Sequence, residues 1–135
     1  MERRCVVTLG AAAMVLAALP VRSSDPRAFM QRAFELRKIA LQRGDQAYGA
    51  VIVKEGRIIG EGISAVITTP DPTAHAEMQA IRDAARRLKT GDLSGSEMYG
   101  TSRACPMCEA GAYWAGVSRL WHGESIAGGE APRLR

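Results

Sequence analysis

Two short motifs constrain this chain more than any other part of it: Thr73-Ala74-His75-Ala76-Glu77 and Cys105-Pro106-Met107-Cys108. They present one imidazole, one carboxylate and two thiols, with Cys105 standing 28 positions beyond Glu77. Zn²⁺ takes imidazole nitrogen and thiolate sulfur in a tetrahedron, and a catalytic site keeps one corner for water. His75, Cys105 and Cys108 supply three ligands for that geometry, and Glu77 is the acid/base beside the open corner. A lone His near a helix start is more often structural, and a lone Cys-x-x-Cys reads equally as a redox dithiol. Together the two motifs favour metal. Any fold for this chain must bring these distant segments onto one ion.

The local pattern supplies elements to do so. Pro26 to Arg43 reads as a helix, with Phe29, Ala33, Leu36 and Ala40 at three- and four-residue intervals. Asp25 is placed to cap it, Pro26 to open it and Gly44 to end it. Tyr48–Val53 and Arg57–Ile63 are Val/Ile-rich strands joined by the hairpin loop Lys54-Glu55-Gly56. A second helix is expected from Thr73 to about Leu88, with an apolar face that includes Ala76, Ala80 and Ala84. His75 and Glu77 stand two apart, about 200° around a regular helix, so the helix start itself must lie against the metal. Glu97–Ser102 reads as a third strand delivering Cys105. Pro106 opens the next helix, with Cys105 and Cys108 on nearly one face of its start. The positive end of that helix favours thiolates. A fourth strand is expected at Ser118–His122.

Composition sets the frame. The chain has 135 residues, 47% of them apolar, which suits one globular domain. Its net charge of +4 argues neither for nor against nucleic acid. Three cysteines do not make a disulfide framework. Residues 1–24 carry Arg3-Arg4, an apolar run from Cys5 to Leu19, and then Pro20-Val21-Arg22-Ser23-Ser24. That anatomy describes an export signal of twin-arginine type. The run is shorter than the roughly 20 apolar residues of a spanning helix. A periplasmic or secreted protein with no stable membrane span is expected if the signal is used, and a cytoplasmic one otherwise.

The motifs and their flanks, Asp71-Pro72-Thr73-Ala74-His75-Ala76-Glu77 and Cys105 through Tyr113-Trp114-Ala115, resemble the guanine deaminase and tRNA adenosine deaminase branch of the cytidine deaminase-like superfamily. The resemblance runs from about Arg27 to Gly123, and Cys-Pro-Met-Cys with Tyr-Trp-Ala is nearer guanine deaminase. It implies an α/β/α sandwich around a central mixed sheet, bound Zn²⁺, and a homodimer. It implies hydrolytic deamination of a nucleobase or nucleoside, guanine leading, in which zinc activates water and Glu77 carries the proton. The small-molecule reading leaves nucleic acid an unexpected partner. Two other readings stand beside it: a tRNA adenosine deaminase, and a zinc-binding module of this fold without catalysis.

The resemblance also suggests substrate contacts at Tyr48, Ser64, Ala76 and Trp114. For Tyr48 and Trp114 a plain packing role is as good a reading. Relatives carry Asn where Ser64 stands, and Glu-Pro where this chain has Arg103-Ala104. They also continue past Gly123 with a further strand and helix. Here residues 124–135 read as a flexible tail and the C-terminal part as shortened. An acidic residue that guanine deaminases use there aligns with Gly128, with Glu124 only nearby.

Overall fold

The computed structural model describes residues 22–135. The export signal expected at residues 1–24 falls almost wholly outside them. Among the described residues no helix is long and apolar enough to cross a membrane.

The elements run α1 (Pro26–Gln42), β1 (Gly49–Lys54), β2 (Arg57–Ile63), α2 (Ala76–Leu88), β3 (Ser96–Gly100), α3 (Pro106–Ala115), β4 (Arg119–His122) and β5 (Ala127–Glu130). Asp25 caps α1 as its sequence suggests, accepting the Arg27 amide at 3.0 Å, with Pro26 following at the first position. The β1–β2 turn is tighter than expected: Lys54 pairs with Arg57, and Glu55 and Gly56 both take positive φ. That is the two-residue turn whose twist matches paired strands.

The five strands form one sheet in the order β2-β1-β3-β4-β5. Only β3 and β4 are parallel, joined through α3; the other pairs are antiparallel. Side chains alternate across the sheet. Val51, Val53 and Tyr99 face Phe29, Met30, Ala33 and Leu36 of α1. Ala50, Ile52 and Met98 face α2 through Ala76, Ala80 and Ala84, and α3 through Ala112 and Ala115. The result is the expected three-layer α/β/α sandwich with a mixed sheet.

One expectation needs correction. Residues 124–135 are not a loose tail throughout, because Ala127–Glu130 pairs with β4. The segment lacks β-branched residues, so propensity does not announce it. Two glycines make it possible: Gly128 and Gly129 sit at φ +93 and +82. A Cβ on Gly129 would come within 2.3 Å of the Trp121 ring. The bare backbone therefore lets the indole lie against the strand. Arg119 also donates to the Gly129 carbonyl at 2.9 Å.

Small residues set the spacing of the layers. A Cβ on Gly62 would lie 2.0 Å from the Ala76 carbonyl oxygen, and one on Gly60 2.5 Å from that of Ala80. Both obstacles are backbone, which cannot swing aside. Gly62→Ala is therefore expected to cost about 1–3 kcal/mol, as overpacking does, read as a lower urea midpoint with an unchanged m-value.

Candidate metal centre

The N-terminal ends of α2 and α3 converge. Helix α2 begins at Ala76, later than the sequence suggested, which leaves His75 as its N-cap with extended backbone. Cys105 is the N-cap of α3, also extended, and Cys108 lies in the first turn. Neither His75 nor Cys105 makes a side-chain cap hydrogen bond. An N-cap side chain ordinarily turns back to a free amide of its own helix. Here both side chains turn towards each other.

The Nδ1 atom of His75 lies 3.6 Å from the Cys105 sulfur and 3.6 Å from the Cys108 sulfur. Tetrahedral zinc with its usual bonds to nitrogen and sulfur sets such atoms roughly 3.5 Å apart. The three ligand atoms all fall within 4.8 Å of one another, so the donor set fits that ion. Burial pushes the Cys108 thiol up, and the neighbouring Glu77 charge adds to the effect. A coordinated divalent cation removes that penalty, since a ligating thiol is deprotonated outright.

Glu77 is 6% exposed and its Oε2 lies 3.6 Å from the Cys108 sulfur. Burial raises its carboxyl above the usual range; its own backbone amide, Cys108 and His75 pull the other way. Gly100 on β3 lies next to it: a Cβ there would stand in ordinary contact, 3.8 Å from Glu77 Oε1.

A cleft of about 260 Å³ opens on this point. It is lined by Glu77 and by Ala104, the residue before Cys105, and so lies beside the three candidate ligands without including them in its lining. Met98, Leu120 and Trp121 give it apolar walls, and Arg103, His122 and Glu130 give it polar ones. The Trp121 Nε1 is buried without a hydrogen-bond partner among the described residues. Strand β5 forms one side through Gly128 and Glu130, so the segment read as a tail builds part of the cleft. Glu109 fastens the last residues of the chain: it accepts the Arg133 amide at 3.1 Å and pairs with Arg135 at 3.3 Å.

The structure thus joins His75, Glu77, Cys105 and Cys108, but gathers none of the four suggested substrate residues into the cleft lining. Tyr48 is exposed beside Arg37, Gln46 and Thr101 in a neighbouring depression that meets the cleft at Ser102. Ser64 is buried, and its hydroxyl donates to Asp45 at 2.8 Å. Ala76 packs in the core under the sheet. Trp114 is 75% exposed, edge-on to Tyr113. Sequence reasoning missed Glu109 and Glu130. Their only trace was their charge, close to the second motif and in the last segment.

Comparison with known proteins agrees with this geometry. Residues 23–124 match the family model described as the cytidine and deoxycytidylate deaminase zinc-binding region. A tRNA-specific adenosine deaminase of Aquifex aeolicus is 48% identical over 80 residues, 59% of this chain and 53% of the relative. A guanine deaminase of Bacillus subtilis is 44% identical over 88 residues, 64% of this chain and 56% of the relative. The chain spans about half the length of these curated relatives. The X-ray structure of guanine deaminase from Bacillus subtilis superposes with a TM-score of 0.71 at 36% identity, over 79% of this chain and 72% of that one. The zinc-fitting donor set, the sandwich that positions it and the match across most of the described residues lead to one placement: the chain belongs to the cytidine and deoxycytidylate deaminase zinc-binding family.

Proposed function

We propose that the protein is a zinc-dependent hydrolase that releases ammonia from a free nucleobase or nucleoside, with guanine the leading substrate. The observation that carries this reading is the Glu77 carboxylate, buried beside Cys108 and lining the same cleft. A zinc site with a purely structural role has no use for a buried, non-ligating carboxylate held against one of its sulfur ligands. That favours the enzyme over a zinc-binding module without catalysis.

Zinc in this donor set supplies Lewis acidity that makes water a nucleophile near neutral pH. The chain's own groups do the rest. Water adds to the amino-bearing ring carbon. Glu77 carries one proton from the water to a ring nitrogen and the second, from the hydroxyl on the tetrahedral carbon, to the amine; the C–N bond breaks as the C=O bond forms, and ammonia leaves. The apolar walls at Met98, Leu120 and Trp121 suit the faces of a flat heterocycle and keep bulk water from it.

Guanine is favoured by Glu130. The ring edge of guanine that carries N1–H and the 2-amino group offers donors, and a carboxylate at the cleft wall accepts them. The relatives include both guanine deaminase and tRNA-specific adenosine deaminase, so the tRNA reading is the rival within the family. The small net charge gives it no particular support. The homodimer belongs to the same proposal; Tyr113 and Trp114, exposed together on α3, are a surface that a second copy would cover.

A panel of bases, nucleosides and an adenosine-containing tRNA anticodon stem, assayed for ammonia, tests the reading. Release from guanine is expected; release from the RNA alone would hand the site to the rival. Glu77→Gln is expected to keep its zinc while turnover falls by about 10²–10⁴-fold, the usual contribution of general acid–base catalysis. Cys108→Ser is expected to lose the zinc itself, seen by metal analysis of the purified protein. Glu130→Ala is expected to raise KM for guanine on the order of 10-fold with kcat little changed, the size of a charge-assisted hydrogen bond.

A further inference from the structure

Outside the metal centre, one buried carboxylate stands out. Asp45 follows α1, its amide bonded to the Ala40 carbonyl at 3.0 Å, and it is 5% exposed. No cation is among its hydrogen-bond partners. Its Oδ1 accepts the Ser64 hydroxyl at 2.8 Å and the Gln46 amide at 2.8 Å. Its Oδ2 accepts the Ile67 amide at 3.1 Å, the Thr68 amide at 2.8 Å and the Thr68 hydroxyl at 2.9 Å. Burial opposes its charge, but these donors outweigh burial and hold the carboxyl well below the usual range.

What those donors belong to gives the cluster its meaning. Residues 64–68 begin the connection from β2 to His75. That connection closes on itself: the Ala65 amide donates to the Ala74 carbonyl at 3.0 Å, one residue before the metal ligand. Thr69 and Asp71 donate back to Ala65 and Val66 at 3.1 Å each, and Ala74 to Asp71 at 3.1 Å. The loop is therefore a compact unit whose far end is His75 and whose near end is gripped by Asp45. His75 is an N-cap whose ring makes no cap hydrogen bond to its own helix, so no such bond aims it.

We propose that Asp45 is a positioning residue for the metal centre: its carboxylate anchors the loop that sets the His75 imidazole opposite the two thiols. Ser64 belongs to this staple rather than to the substrate-facing wall. The inference rests on the zinc reading of the site and not on which base is turned over, so its readouts are independent of turnover.

The test compares three variants by zinc affinity, measured by chelator competition, and by the visible absorption of the cobalt(II)-substituted protein. Asp45→Asn swaps one acceptor oxygen for a donor that faces other donors. It is expected to weaken zinc on the order of 10-fold, the lower end of what partners beyond the ligands themselves contribute, and to shift the cobalt bands. Ser64→Ala removes only one of the contacts and is expected to move both readouts the same way, by less. Asp92→Ala is the control. Asp92 also holds a turn together, accepting the Ser94 amide at 3.0 Å and the Ser94 hydroxyl, but it lies in the connection from α2 to β3, away from the β2–α2 loop that ends at His75. It is expected to lower the urea midpoint while leaving zinc affinity and the cobalt spectrum as in the parent. Should Asp45→Asn fail to fold, Ser64→Ala decides on the same two readouts. Parent-like zinc affinity and cobalt bands in the folded Asp45 or Ser64 variant, whatever the stability loss, would overturn the proposal.

Discussion

The bare backbone of β2 pressed against α2 is the contact on which the rest of this structure depends. With glycine at 60 and 62 facing Ala76, Ala80 and Ala84, the helix rides almost directly on the strand. Such an interface buries little apolar area, so it adds little to stability by itself. The larger contributions come from side chains such as Ile52, Leu93 and Met98, all but fully buried. What the small residues provide is position. Helix α2 starts at a defined height over the sheet, and His75 and Glu77 start with it.

The electrostatics depend on that placement. Two helix N-termini point at one spot, each contributing positive partial charge. By themselves they favour the thiolate forms of Cys105 and Cys108 and the ionised form of Glu77. At Cys108 and Glu77 burial works against the charged form and dominates. A divalent ion held by His75, Cys105 and Cys108 would reverse the balance at the sulfurs, and Glu77, buried beside Cys108, is not one of those three donors.

Much of this was legible from the residues alone, because the informative parts were local. The cap at Asp25, the stripe of α1 and the turn glycine at position 56 each obey short-range rules, and the ligand motifs name their own chemistry. What escaped was decided at long range. Strand β5 forms because Gly128 and Gly129 admit the Trp121 ring, a partner chosen by the sheet register and not by propensity. Ser64 looked available to substrate because its acceptor, Asp45, lies 19 positions away. Trp114 is turned out because the inward face of α3 is already filled by Ala112 and Ala115. Glu130 was hidden for the same reason as its strand.

The two helix starts that meet at the centre have given up the hydroxyl or carboxylate that would ordinarily close them. His75 and Cys105 offer their helices only backbone carbonyls, accepting from the Gln79 and Glu109 amides at 2.9 Å each. A missing cap costs about 0.5–2 kcal/mol per helix, and an ion bound by His75, Cys105 and Cys108 would offset it by tethering both first turns together. Metal uptake would then be linked to folding, each tenfold rise in free zinc above the dissociation constant adding about 1.4 kcal/mol to the native state.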